Sequence, residues 1–236
     1  MDTKKVIRQH KEMNEFFSGG FSVKGTPRTV VPQGTVNKEL VEIVEEVVHC
    51  CCCGLGATRK NAVPGEGNPN ARIVFVGEAP GADEDEQGRP FVGRAGQLLD
   101  KIIAAMGLQR QEVFICNVLK CRPPDNRDPK PDEIVHCIHF LEKQLEIIKP
   151  EIIIALGAHA AKTLLKSTEA IGQLRGKFLS YHTPGGYGPI KLMPTYHPSY
   201  LLRNYSDDNR LRVWEDMQKV MLELGMPVPK SNKKSS

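Results

Sequence analysis

The 236-residue chain has no apolar run near the roughly 20 residues that a membrane-spanning helix needs, so no helical span is expected. Its opening, Met1-Asp2-Thr3-Lys4-Lys5-Val6-Ile7-Arg8, offers neither an apolar signal core nor a small-residue cleavage site. Export is therefore not expected, and the expected compartment is the cytoplasm. Neither a Walker A loop nor a dinucleotide-binding glycine fingerprint occurs, which leaves nucleotide-hydrolysing and Rossmann-type readings without a motif. A large charge imbalance is lacking as well. Thirty-two Lys and Arg against 28 Asp and Glu leave a net charge of +4, compatible with a nucleic-acid partner but no argument for one. No internal repeat divides the chain.

What is present begins with cysteine. There are seven, four of them consecutive at Cys50–Cys53. Without an export signal, clustered cysteines read as metal or cluster ligands rather than disulfides. Cys116, inside an apolar run, reads instead as a small buried side chain. An apolar fraction of 40% and a charged fraction of 25% are those of an ordinary globular protein.

Residues 1–36 carry no sustained apolar period and read as a flexible N-terminal extension; residues 227–236 read as a C-terminal tail of the same kind. Between them, residues 37–226 form one domain. Four short apolar runs, Arg72–Val76, Val113–Val118, Ile152–Leu156 and Ile190–Met193, read as strands. The first three are near-continuous rather than alternating, as in a parallel sheet covered on both faces. Helical stretches separate them. The first spans Asn37–His49, with Leu40, Val41, Val44, Val47 and Val48 on its apolar face. Others are Ala95–Met106, closed by Gly107, and Pro131–Ile148. The last, Asp208–Leu224, carries Leu211, Trp214, Met217 and Met221. The expected fold is α/β, a single domain built on a central four-stranded parallel sheet with helices on both faces.

Ligands of such sheets bind beyond the carboxyl ends of the strands. After the first strand comes a glycine-rich stretch containing Glu78, Gly81 and Glu84, where backbone can approach a ligand closely. Asp83, Glu84 and Asp85 argue against an anion lying in it. Phe91, between Pro90 and Val92, either presents a flat face to a planar heterocycle or fills the core; its local sequence allows both. Asn117 ends the second strand with an amide that can cap a loop or read a uracil-type edge. His197, held by Pro198 after the fourth strand, can donate to charge developing on an oxygen.

The ordered strings GEAPGADEDEQGRPFVGRAGQLL, NVLKCRPPDNRDP and HPSYLLR closely resemble the family 4, iron–sulfur uracil-DNA glycosylases, over roughly residues 40–222. The resemblance implies a [4Fe–4S] cluster on Cys50, Cys53, Cys121 and Cys137, since Cys53-Gly54-Leu55 fits the family's Cys-x2-Cys-x-Leu pattern; Cys51 and Cys52 are then bystanders. Four thiolates suit zinc or an iron–sulfur cluster, and the spacing of the later pair is not that of a zinc ribbon. The resemblance also implies excision of uracil from single- and double-stranded DNA, and a monomer is expected. Phe91 would stack on the flipped base, Asn117 read its edge, His197 hydrogen-bond uracil O2, and Glu84 crowd out thymine's methyl group. Gly81 would bind substrate, and Glu78 would lie close to the sugar. Where the best-known uracil glycosylases hold a water-activating Asp, this chain has Ala79. Lys120, Arg122, Arg127 and Arg203 are the expected backbone contacts, with activity weakening as salt rises. No histidine-bearing insertion interrupts Lys120–Arg127, so a covalently trapping relative is not expected.

Overall fold

The structure, a computed structural model, describes residues 8, 11–13, 15–17 and 37–229. A six-stranded sheet is its centre, in the order β1-β3-β2-β4-β6-β5: β1 (Glu66–Gly67), β2 (Ile73–Gly77), β3 (Phe114–Asn117), β4 (Ile152–Leu156), β5 (Leu179–Tyr181) and β6 (Ile190–Thr195). The inner four strands, β3-β2-β4-β6, run parallel, as the sequence led us to expect. Two short antiparallel strands, β1 and β5, close the edges, so the sheet is mixed and has six strands rather than four. Their brevity hides them from sequence: β1 contains Gly67 and spans two residues, too few for a period. The five residues of β2 and the five of β4 are all buried, because helices cover both faces. Pro194 is tolerated in β6 because β5 ends its pairing at Leu192, before the missing N–H matters.

Ahead of the sheet lie α1 (Lys38–His49) and the one-turn α2 (Leu55–Thr58). Between β2 and β3 come α3 (Ala82–Gln87) and α4 (Arg94–Ala105); α5 (Pro131–Ile148) leads to β4. Then follow α6 (Ala158–Leu165) and α7 (Ile171–Leu174), and after β6 come α8 (Pro198–Arg203) and α9 (Asp207–Glu223). Pro131 stands at the start of α5, where a helix has no need of its N–H, and Glu133 accepts from the Lys130 N–H at 2.8 Å. Ser206 caps α9 by accepting from Asn209 N at 3.1 Å.

The core has two main layers, one on each face of the sheet. Leu99, Ile103, Trp214 and Met217 are among those on one face; Leu141, Leu145, Ala160 and Leu164 are among those on the other. A third, smaller cluster joins Ile43, Val47 and Leu55 to Leu119, Cys121, Cys137 and Phe140. Cys116 is fully buried in β3, as expected.

Two expectations about packing are corrected. On α1 the buried residues are Ile43 and Val47, while Val41, Val44 and Val48 are exposed; Leu211 on α9 is exposed too. The apolar residues of α1 form one broad stripe; its Leu40–Ile43–Val47 edge packs against α5 and the cysteine-bearing segment, which leaves the Val41–Val44–Val48 edge exposed. Part of the expected N-terminal extension also belongs to the fold. Met13 and Phe17, one helical turn apart, are 2% exposed within the Trp214 layer, and the Tyr205 hydroxyl donates to Glu12 Oε2 at 2.7 Å. The rest of residues 1–36, and 230–236 of the expected tail, lie outside the described residues.

Candidate active site

A cavity of about 460 Å³ opens at the carboxyl ends of the parallel strands, within the roughly 300–1,000 Å³ common for small-molecule sites. Each strand delivers one wall: Glu78 follows β2, Asn117 ends β3, Gly157 to His159 follow β4, and Tyr196 and His197 follow β6. Gly81, Glu84 and Phe91 line it from the β2–α4 connection. All six residues expected to serve the reaction, Glu78, Gly81, Glu84, Phe91, Asn117 and His197, therefore meet in one place.

Phe91 is both a core residue and part of the cavity wall. It is 6% exposed and belongs to the core, yet its ring lines the cavity, 5.6 Å from the His197 ring and tilted 32° to it. Its φ of 50° is unusual for a bulky residue and marks a loop held in a strained shape. Glu84 holds that shape. One carboxylate oxygen accepts from Val92 N and Gly93 N at 2.8 and 2.9 Å, and the other from Gly81 N at 3.1 Å. This bracing role was not foreseen from sequence. Gly77 completes the arrangement by having no side chain: a Cβ there would stand 2.3 Å from Asn117 Oδ1 and 2.6 Å from Phe91 Cζ.

Asn117 is 1% exposed, and its Oδ1 has no hydrogen-bond partner among the described residues. A buried acceptor left unmade costs about 1–3 kcal/mol, so the pocket holds a group waiting for a donor. Behind it, the Lys120 ammonium donates to the Asn117 carbonyl at 2.9 Å and to Gln144 Oε1 at 2.7 Å. Lys120 is thus a buried support for the β3 end, and the expectation that it touches a nucleic-acid backbone is corrected.

His197 accepts at Nδ1 from the Ser199 backbone N–H at 3.1 Å, which places the proton of the neutral ring on Nε2. Burial, helped by Arg203, lowers its pKa to about 4. Burial raises the Glu78 carboxyl; His159 and Arg203 oppose the shift and Asp128 adds to it.

The sequence of residues 64–218 matches the model of the uracil DNA glycosylase superfamily. A type-4 uracil-DNA glycosylase of Thermotoga maritima is 50% identical over 184 residues, 77% of this chain and 93% of that one. One from Archaeoglobus fulgidus is 43% identical over 187 residues, 78% of this chain and 92% of the relative. A type-5 uracil-DNA glycosylase of Pyrobaculum aerophilum is more distant, 32% identical over 154 residues, 59% of this chain and 66% of its own length.

The chain belongs to the type-4 uracil-DNA glycosylases.

In this glycosylase the four cysteines expected as ligands gather beside α1, α2 and α5. Cys121 and Cys137 are buried, with Cys50 and Cys53 packed against the same cluster, whereas Cys51 and Cys52 are exposed. Arg59 donates to Cys121 Sγ at 3.0 Å, and the Lys120 backbone N–H to Cys137 Sγ at 3.2 Å. Burial pushes the Cys137 thiol up to about 11 and raises Cys121 also. Buried thiols with N–H donors aimed at sulfur fit a bound cationic centre, whose charge would offset that cost.

Sequence reasoning did not single out His159 or Asp128. Their side chains and Glu78 place one donor atom each within 4.8 Å of one another. The strand-end rule that found His197 points to His159 as well, since it lies three residues past β4.

Proposed function

We propose that this chain hydrolyses the N-glycosidic bond of uracil flipped out of single- or double-stranded DNA, leaving an abasic site, and that it does so as an intracellular monomer. One observation carries the reading: a ring face, an unsatisfied amide oxygen and a directed imidazole N–H converge on one cavity of pyrimidine-admitting size.

Extruding the base costs a few kcal/mol, least where it is mispaired or already single-stranded. Phe91 then offers its face to the base, worth about 1–3 kcal/mol for an aromatic stack. The orphaned Oδ1 of Asn117 accepts the N3–H of uracil, a donor that cytosine lacks. Glu84, fixed by three backbone N–H groups, stands at the edge where thymine would carry its methyl, and Gly81 lets the backbone approach.

Bond cleavage sends an electron pair to the base, and negative charge builds on uracil O2. His197 Nε2–H donates there. Its depressed pKa keeps the ring neutral, so the donor is a fixed dipole and needs no proton uptake at neutral pH. A single such donor in a dry site is worth about 2.7–4 kcal/mol. The ionised Glu78 carboxylate favours the positive charge that develops on the sugar.

Arg127 and Arg203 line the cavity and Arg122 donates to Asn126 of its wall, which supports backbone contacts that position DNA without reading sequence and that weaken as salt rises. Cys50, Cys53, Cys121 and Cys137 would hold a [4Fe–4S] cluster. When bound, it would supply a covalent tie between α1, the β3 end and α5.

A uracil-containing oligonucleotide incubated with the protein and then treated with alkali should break at the uracil. An intact strand with the wild-type protein would refute the assignment.

A further inference from the structure

Hydrolysis needs a water at the sugar, and the pocket holds few groups able to fix one. Ala79 has no polar side chain. Among the described residues no hydrogen bond reaches the Glu78 carboxylate, although it lines the cavity. His159 lines the same cavity from the first turn of α6. Its Nε2 lies 3.6 Å from Asp128 Oδ1, longer than a hydrogen bond, and the donor atoms of Glu78, Asp128 and His159 all stand within 4.8 Å. One water making two hydrogen bonds of about 2.8 Å at a near-tetrahedral angle spans about 4.6 Å. Donor atoms no more than 4.8 Å apart are within the reach of one bridging water, which the imidazole and the Glu78 carboxylate would hold from two sides.

The backbone directs this arrangement. Gly157 adopts a φ of 92°, which turns the chain from β4 into α6, and its N–H donates to the Thr195 carbonyl of β6 at 2.9 Å. A Cβ at Gly157 would come within 3.0 Å of His197 Cβ. The glycine thus lets the two histidine-bearing segments lie side by side, with His197 toward the base and His159 toward Glu78.

We propose that His159 is a catalytic residue which, together with Glu78, holds the hydrolytic water against the sugar. The proposal rests on the glycosylase reading above. As the bond from C1′ to uracil N1 breaks and its electron pair leaves with the base, the water oxygen bonds to C1′. Its proton passes to the Glu78 carboxylate, and uracil later takes a proton from solvent. The charged groups facing Glu78 are His159 from α6, Asp128 from the loop ahead of α5 and Arg203 from α8. Of these, His159 acts most strongly to keep the carboxylate ionised.

The test is single-turnover uracil release by the full-length protein across pH, with His159→Ala, His159→Asn, Asp128→Asn and Glu78→Gln. His159→Ala should lower the rate of cleavage about tenfold or more, the low end of general acid–base effects, with substrate affinity and melting temperature close to wild type. Its acid limb should move to higher pH, since a group opposing Glu78 protonation is gone. His159→Asn, still able to bond a water, should recover part of the rate but not the position of the limb. A His159→Ala rate within twofold of wild type overturns the proposal. So does a fall in rate with an unmoved acid limb, or one that Asp128→Asn reproduces in full, because each marks a merely structural ion pair. A full rate in Glu78→Gln overturns the proposal as well, because the water would then need no carboxylate; the underlying reading fails separately, by wild-type protein that releases no uracil.

Discussion

In the pocket wall, the Ser199 backbone N–H occupies Nδ1 of His197 and so fixes which nitrogen of the neutral ring carries the proton. Removing that donor should cost more in rate than in binding. His197→Ala is expected to lower kcat about 10²–10³-fold with KM little changed, measured by uracil release under saturating DNA. The same ring gives stability a pH dependence. Its folded pKa of about 4 lies below the ordinary 6.5, so between those values the unfolded chain binds more protons. The stabilisation that comes with a neutral His197 is complete above about pH 6.5 and is lost as pH falls toward 4. Thermal melts should show wild type losing more stability than His197→Asn over that window. Residue types at the strand ends were legible from sequence, because amide, imidazole and aromatic ring each limit what they can do. The bracing of the Phe91 loop by Glu84 was not, since a carboxylate in an acidic run gives no sign of which N–H groups it will meet.

Among elements, the join between α9 and the end of β6 controls where His197 sits. Asp216 of α9 is fully buried, and its carboxylate accepts from Thr195 Oγ1 at 2.6 Å and from Arg175 at 2.7 and 3.1 Å. Breaking one side of such a pair strands a buried charge. Asp216→Ala is expected to cost about 3–5 kcal/mol in urea unfolding, far beyond the effect of an exposed pair such as Arg212–Asp208. Strands β2, β3 and β4 were readable because burial on both faces demands unbroken apolar runs. Only one edge of the apolar face of α1 is buried, and which edge of so broad a stripe would meet α5 was not readable from the pattern. Edge strands β1 and β5, two and three residues long, carry too few positions for any pattern.

For the whole molecule, the cysteine-bearing cluster ties α1 and the one-turn α2 to α5 and the β3 end. Stripping a bound cluster with chelator and oxidant should bleach the visible absorbance and lower the melting temperature. The Cys137→Ser variant should show the same loss of colour. Protein that kept its colour and stability through both treatments would put the centre elsewhere. The resemblance of its ordered motifs pointed to the family, while the unbroken apolar runs determined the parallel strands and the strand-end residue types determined the chemistry on offer, since each of these last is a local property of the chain. Only tertiary structure decided that Lys120 is buried support rather than a DNA contact, that Met13 and Phe17 join the core, and that His159 stands beside Glu78. Those outcomes depend on distances between segments far apart along the chain, which no local pattern encodes.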